Sequence, residues 1–167
     1  MTAPALTRRS LMIGAGLFST AIVLSKGTTG LISPAQAKAE FTPTQTMRGG
    51  SNNYRPNAPL VESLGAGFLM SGMVRKAGSG EPLSNVRIQI WAATTRGGER
   101  EPSNHGSVLT AADGSYRLEM PQIVPNFGQP HAHLAYDDNA FETVFLRPVM
   151  SSPTDTSLQA DFVLAPV

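Results

Sequence analysis

Alternation of apolar and polar positions is the clearest pattern along this chain. The segment Val86-Arg87-Ile88-Gln89-Ile90-Trp91 alternates with period two, which is typical of a half-buried β-strand. We expect its valine and two isoleucines to face a core, and its arginine and glutamine to face outward, because successive side chains of a strand point to opposite faces. Looser apolar patterns predict six further strands, at residues 68–76, 107–110, 116–120, 131–136, 141–150 and 158–164.

Turn-forming residues separate these segments. Glycine and proline punctuate residues 78–82, 96–104 and 121–130, and Ala112-Asp113-Gly114 is a turn of the D-G type. No segment after residue 39 has the periodicity of a strong amphipathic helix. About seven short strands with regular turn signals predict an all-β fold, an antiparallel β-sandwich of the transthyretin-like or immunoglobulin-like kind.

The N-terminal segment has a different character. Thr7-Arg8-Arg9-Ser10 precedes an apolar run at 11–24, and the small-residue sequence Ala35-Gln36-Ala37-Lys38-Ala39 follows. A basic start, a short apolar segment and an A-x-A site form a secretory signal, and the paired arginines indicate the twin-arginine type. The run has 14 residues, whereas a bilayer span needs about 20. We therefore expect no stable membrane anchor, and cleavage after Ala37 or Ala39, between which the sequence does not choose.

This segment predicts an exported protein with two further parts. Residues 1–39 would act as a signal helix read by the twin-arginine export machinery, and the mature chain would be periplasmic. Because that route moves chains that have already folded, it suits a protein that takes up a metal inside the cell. Residues 40–66 contain Pro, Gly and Asn without apolar periodicity and predict an extended arm or coil, while residues 67–167 would form the sandwich.

Charge and cysteine content exclude several classes of function. From Glu40 onward there are 9 Lys/Arg and 12 Asp/Glu, so the mature chain carries a net charge of −3 (9 − 12). No basic cluster remains to hold a phosphate backbone, which argues against nucleic acid as a partner. The chain has no cysteine, so thiolate nucleophiles and cysteine-ligated zinc or iron–sulfur sites are excluded.

The three histidines lie close together in the sequence. They are His105 and the pair in His131-Ala132-His133. Residues i and i+2 of a strand point to the same face, so the paired imidazoles can converge on one metal ion, and neutral imidazole suits zinc, copper, iron and nickel. The alternative is an exposed pair on an edge strand, with His105 an ordinary loop residue.

Five motifs follow one another along residues 67–150. They are Gly72-Met73-Val74, Gly80-Glu81-Pro82-Leu83, Val86 to Trp91, Asp113-Gly114-Ser115-Tyr116 and His131-Ala132-His133. In order and rough spacing they resemble the intradiol ring-cleavage dioxygenases, which include protocatechuate 3,4-dioxygenase and catechol 1,2-dioxygenase. The H-x-H motif is the specific element of this resemblance, because other transthyretin-like sandwiches share the first four motifs.

The resemblance implies a non-haem iron site that opens the ring of a catechol with O2. In that family two histidines and two tyrosines hold a ferric ion, and His131 and His133 would be the histidines here. The tyrosines do not carry over, because the loops at 94–101 and 121–129, where the family has them, contain none. The family's arginine just before the H-x-H motif is also missing, and Gly128-Gln129 stands there instead.

Loss of the tyrosines changes the expected metal. Phenolate oxygens hold iron in the ferric state, whereas imidazole and carboxylate favour a divalent ion such as Fe(II), Cu(II) or Zn(II). His105 is the preferred third ligand, because it lies on the same side of the chain as the first missing tyrosine. Glu99, Glu101 and Tyr136 are the alternatives. A ferric site rebuilt from Tyr54 or Tyr136 is a third arrangement, which predicts a visible phenolate-to-iron absorption band.

Four residues have predicted supporting roles, and no catalytic group is assigned. Asp137 would hydrogen-bond a ligand histidine without binding the metal itself. Gln129 would contact substrate, and Arg147 would either face out of the sheet or bind an anionic ring substituent of the substrate. Trp91 would lie in the core or stack against an aromatic substrate.

Two functional hypotheses follow. The first is an exported, metal-dependent dioxygenase that uses O2 to cleave the ring of a small catechol-type compound. The second is a non-catalytic periplasmic sandwich that keeps a copper or zinc site. A homo-oligomer is compatible with either.

Overall fold

Eight short β-strands and their connections account for the part of the chain that the computed structural model describes, residues 41–167. A single 3-10 turn, Pro102–Asn104, is the one helical element within this range. The signal segment predicted at 1–39 lies outside the described residues. In chain order the strands are β1 (Gly67–Lys76), β2 (Arg87–Ala92), β3 (His105–Leu109), β4 (Ser115–Pro121), β5 (Ala132–Tyr136), β6 (Val144–Leu146), β7 (Ser157–Gln159) and β8 (Phe162–Leu164).

The strands form two four-stranded sheets. In the first sheet β1 pairs antiparallel with β4 and parallel with both β7 and β8. The second sheet is antiparallel throughout, in the order β3-β2-β5-β6. The predicted all-β sandwich is therefore confirmed, although the first sheet is mixed. None of the helical segments within residues 41–167 has the length and apolarity of a membrane span.

Two predicted strands are shorter or divided. The strand expected at 158–164 is split into β7 and β8, which keep the same register along β1. The ladder is interrupted at 160–161, where the Tyr116 hydroxyl donates to the Ala160 carbonyl and the Met73 N–H donates to the Asp161 carboxylate. The strand expected at 141–150 is regular only over β6, because Pro148 offers no N–H to the ladder. Its path resumes as a single bridge between His131 and Val149.

The core lies between the sheets. Val86, Ile88 and Ile90 face it and are buried, as the alternation predicts, and each such side chain stabilises the fold by about 1.5–3 kcal/mol. The opposite face of β2 differs from expectation, because Gln89 is buried as well. Its amide bonds to the N–H of Ala58 and the hydroxyl of Tyr54.

The segment 41–66, which we call the arm, is what covers this outer face of the second sheet. It forms no strand of either sheet but hydrogen-bonds to both. Its links include Thr44 N–H to the Val163 carbonyl at 2.9 Å and Met47 N–H to the Phe145 carbonyl at 2.8 Å. The outer face of the second sheet is therefore an interior surface.

Three aromatic rings form a row on that face. Trp91 on β2 is in register with His105 on β3 and with His133 on β5. The rings stack with interplanar angles of 7° (Trp91–His105) and 9° (Trp91–His133). His133, at one end of this row, belongs to the candidate site.

Candidate metal centre

A carboxylate and two imidazoles converge beneath the arm. His131 Nε2 lies 3.0 Å from Oε1 of Glu99, and His133 Nε2 lies 3.4 Å from Oε2. All three side chains are buried, and one ligand atom from each lies within 4.8 Å of the others. His131 stands just before β5 and His133 within it, so the period-two geometry of the strand brings their ring centroids to 5.0 Å.

Backbone carbonyls orient both imidazoles. His131 Nδ1 donates to the carbonyl of Gln129 at 2.7 Å, and His133 Nδ1 donates to the carbonyl of Gly50 at 2.9 Å. Because a carbonyl only accepts, the Nδ1 atoms carry the protons and the Nε2 atoms face the carboxylate. An outer hydrogen bond that fixes the tautomer in this way is typical of metal-ligating histidines.

The Nε2 atom of His133 has no hydrogen-bond partner within residues 41–167. Burial lowers the pKa of His133 and so favours its neutral ring, in which this atom presents a lone pair to a carboxylate oxygen. Two acceptors that face each other in a buried site are unfavourable unless a cation lies between them. Ligand atoms about 2.1 Å from a shared ion, at angles of about 90–110°, lie about 3.0–3.4 Å apart. The spacing at Glu99 therefore fits a small metal ion.

Glu99 comes from the loop that follows β2. Asn53 of the arm donates from Nδ2 to its Oε2 at 2.8 Å, and Asn126 also hydrogen-bonds this carboxylate. Burial alone would raise the pKa of Glu99, but the hydrogen bonds from Asn126 and Asn53 outweigh burial, and the pKa lies below its ordinary value. The carboxylate is thus ionised and held in a defined orientation.

The structure does not bring His105 into this group. Trp91 lies between His105 and His133 in the sheet, so the two imidazoles are separated by two strand spacings, roughly 10 Å. Instead, Nε2 of His105 lies 2.6 Å from the backbone carbonyl of Glu99. The preferred third ligand therefore contacts the main chain of the residue that supplies the carboxylate.

The other proposed ligands lie elsewhere. Tyr136 is buried in the core, where its hydroxyl accepts from the N–H groups of Ala140 and Phe141. Glu101 is exposed, and the hydroxyl of Tyr54 bonds to Gln89. Neither tyrosine proposed for a ferric site is therefore free to act as a phenolate ligand here.

Asp137 does not contact a ligand histidine in the described structure. It follows β5 by one residue, and its Oδ1 accepts from Gln89 Nε2 at 2.7 Å. The outer support predicted for Asp137 is supplied by backbone carbonyls instead. Side chains two residues apart on a strand share a face, so Gln89 lies on the same face of the sheet as Trp91. Asp137 therefore bonds to Gln89 on that face and not to a histidine.

The three predicted substrate residues occupy different positions. Trp91 is buried and donates from Nε1 to the carbonyl of Asn52 at 2.9 Å, so the arm covers it. Gln129 reaches His131 through its carbonyl. Arg147 alone of the three lines an open cleft, with Nη2 3.4 Å from His131 Nδ1.

That cleft leads from the surface to Glu99 and His131. Its volume is about 350 Å³, at the lower end of the range for small-molecule sites. Arg100 and Arg147 supply positive charge, and Phe127 lies exposed at the rim. A single aromatic ring suits this space.

Sequence reasoning missed the residues of the arm and of the loop before β5. Gly50, Asn52 and Asn53 contact the histidine, tryptophan and glutamate of the site, and Asn126 binds the same glutamate. The pair Asn52-Asn53 was visible only as part of a coil. No local pattern connects residue 53 with residue 99, because that contact exists only once the arm is folded over the sheet.

The fold and the buried Glu99–His131–His133 cluster define a β-sandwich with a candidate non-haem metal centre. No family model and no curated protein matches this sequence. Solved structures do match. The 3-chlorocatechol 1,2-dioxygenase from Rhodococcus opacus 1CP is 15% identical, with a TM-score of 0.56, over 78% of this chain and 75% of that chain.

Two further solved structures have the same architecture. The hydroxyquinol 1,2-dioxygenase from Pseudomonas putida DLL-E4 is 14% identical, with a TM-score of 0.56, over 76% of this chain and 68% of that one. The dioxygenase domain of a carbohydrate-binding fusion protein from Streptomyces sp. SirexAA-E is 18% identical, with a TM-score of 0.53, over 75% of this chain and 99% of that one. The chain therefore shares the fold of these dioxygenases, and the resemblance seen in its motifs is confirmed at that level.

Proposed function

We propose that this chain is a divergent, exported member of the dioxygenases that it resembles, and that it uses a divalent metal to cleave the ring of a catechol-type compound with O2. The observation that carries the proposal is the buried Nε2 of His133, which has no hydrogen-bond partner in the described chain and lies 3.4 Å from an oxygen of the buried Glu99 carboxylate. Two histidines and one carboxylate with open positions are the donor set of non-haem Fe(II) oxygenases. The donors therefore favour Fe(II) over the ferric ion of the resembled family.

The chain's own residues would bind and orient the substrate. A catechol ring in the cleft would reach the centre past His131 and Glu99, with Arg147 and Arg100 balancing the negative charge of an ionised ring hydroxyl. The arm would keep water from the His133 side, where that ring is fully buried. A bound iron would supply Lewis acidity toward the hydroxyls and redox chemistry toward O2. Both atoms of O2 would be incorporated into the ring-opened dicarboxylic acid, so the reaction requires no external reductant.

Metal loading and oxygen uptake test this proposal together. The full chain is loaded with Fe(II), its iron content is measured, and O2 consumption and muconate formation are followed with catechol and protocatechuate. We expect about one iron per chain and O2 uptake that depends on substrate. Glu99→Gln should lose both, whereas Glu101→Gln, an exposed glutamate on the same loop, should keep both.

The alternative is a non-catalytic metal-binding sandwich, which the loss of both tyrosine ligands favours. It predicts stoichiometric Cu(II) or Zn(II) binding that Glu99→Gln abolishes, with no O2 uptake with any catechol. If the wild-type chain takes up no metal, and His131→Ala and His133→Ala change nothing, both metal proposals are overturned.

Export remains part of the proposal and rests on residues 1–39 alone. Replacing the pair Arg8-Arg9 with two lysines should keep the protein in the cytoplasm, whereas the wild-type chain should be recovered from the periplasm. N-terminal sequencing of the mature protein would decide between cleavage after Ala37 and after Ala39. Periplasmic recovery of the lysine variant would overturn the twin-arginine assignment.

A further inference from the structure

We propose that Asn53 is a positioning residue, which holds the Glu99 carboxylate in the orientation that the metal centre needs. This inference rests on the proposed metal-dependent function. It is independent of the substrate and of the metal's identity, because it concerns how one amide of the arm shapes the ligand set.

The first observation is the pair of hydrogen bonds that Asn53 makes. Its Nδ2 donates to Oε2 of Glu99 at 2.8 Å, and its Oδ1 accepts from Nε of Arg100 at 3.1 Å. These charged neighbours fix which way the amide points, because the flipped amide would aim its oxygen at a carboxylate and its N–H groups at a guanidinium. Arg100 in this way orients Asn53, and Asn53 orients Glu99.

The second observation is how the carboxylate is shared. Oε1 faces His131 Nε2 at 3.0 Å, while Oε2 is held by Asn53 on one side and faces His133 Nε2 on the other. Asn126 also hydrogen-bonds this carboxylate, so loss of Asn53 would leave one of two amide donors and allow Oε2 to move away from His133. Asn53 thus keeps the oxygen opposite His133 Nε2, a buried imidazole nitrogen that has no hydrogen-bond partner in the described chain.

The third observation is the backbone of Asn53. It lies in the left-handed region, with φ at 56°, which asparagine tolerates better than most residues. That conformation belongs to the turns at 49–53, whose carbonyls also bond to His133 and to Trp91. The arm therefore contacts the carboxylate, one imidazole and the stacked indole within a few residues.

The chain offers a matched control in Asn57. It lies on the same arm, has φ at 59° and is exposed. Glycine adopts such a φ without strain, so Asn53→Gly and Asn57→Gly remove an asparagine side chain from equivalent backbone positions. A difference between the two variants isolates the contacts of the Asn53 side chain.

The test is titration of the full metal-free chain with Co(II), read by the visible absorption of the ion and by quenching of Trp91, the single tryptophan, which stacks on His133. We expect Asn53→Gly to weaken Co(II) binding about 10–100-fold and to change the absorption spectrum, as loss of outer support does at other metal sites. Asn57→Gly should match the wild type. Thermal unfolding without metal should give similar midpoints for the two variants.

Each other outcome has a defined meaning. Equal Co(II) affinity for Asn53→Gly and Asn57→Gly would overturn the inference and leave the metal centre standing. Absence of Co(II) binding by the wild-type chain would overturn the metal centre itself. If Asn53→Gly does not fold, Arg100→Gln provides the test, because it removes the guanidinium that orients the Asn53 amide. A several-fold loss of Co(II) affinity in this variant would support the inference, and an unchanged Co(II) affinity would overturn it.

Discussion

Strand β5 and the arm contribute to one centre in opposite ways. β5 is an internal strand, paired on both sides, and its alternation places His133 on the outer face of its sheet. The arm has no regular strand, yet its Gly50 carbonyl orients His133 and its Asn53 amide holds Glu99. The direction of His133 therefore comes from regular secondary structure, whereas the support of His133 and Glu99 comes from a coil. Changes in β5 should abolish metal binding, and changes in the arm should weaken it.

The largest effect is expected from β5. His133→Ala removes a ligand and should lower Co(II) affinity by more than about 100-fold, beyond the loss typical of an outer-support residue. Calorimetric titration of the metal-free chain measures this. Wild-type affinity in this variant would show that the strand does not direct the ligands.

Gly50 in the arm should give the next largest effect. A methyl group there would meet the Phe145 carbonyl oxygen at 2.7 Å and push away the carbonyl that receives His133. We expect Gly50→Ala to lower the free energy of unfolding by about 1–3 kcal/mol and to weaken metal binding. Gly98→Ala is the control, since its methyl group would meet open space. Denaturant unfolding without metal compares them, and equal stabilities would contradict the close packing of the arm.

A variant of His105 can distinguish the contribution of ring stacking from that of hydrogen bonding. His105→Phe keeps a ring against Trp91 but removes the bond to the Glu99 carbonyl. The loss should be about 1 kcal/mol of stability, the usual net contribution of one hydrogen bond, with a few-fold loss of Co(II) affinity. Complete loss of metal would instead identify His105 as a ligand, which its place behind Trp91 argues against.

The rim of the cleft should show the smallest effect. Phe127 is 98% exposed, so Phe127→Ala should change the free energy of unfolding by no more than about 0.5 kcal/mol. Thermal unfolding of the metal-free variant beside the wild type measures this. A larger loss would mean that this loop packs onto the arm more tightly than the structure shows.

Much of the fold could be predicted from local pattern. The alternation in β2 and the turn at Gly114, whose φ is +80°, were visible as such. The turn nevertheless joins β3 and β4, which belong to different sheets, because the D-G signal specifies a reversal and not the partner strand. Burial of Gln89 was also missed, since alternation tells which side chains share a face and not what covers it.

The sequence predicts His131 and His133 of the candidate site as ligands, and Glu99 only as an alternative to His105. That His131 and His133 share a face follows from their spacing, and the family resemblance proposed them as ligands, but choosing Glu99 over Glu101 and His105 required the fold. Glu99 and Glu101 are two residues apart on one loop, with nothing in the local sequence to rank them. His105 was preferred by chain position, and the row of rings shows why that was insufficient: the indole of Trp91 stands between it and the pair.

The sequence by itself determined the sandwich, the shared face of His131 and His133, and the absence of cysteine ligands, because side-chain period and composition are local properties. Only the tertiary structure decided that a carboxylate joins the imidazoles, that Trp91 separates His105 from them, and that the arm completes the site. Those outcomes depend on contacts between residues such as 53 and 99, or 50 and 133. The spacing of residues along the chain carries no signal for such contacts.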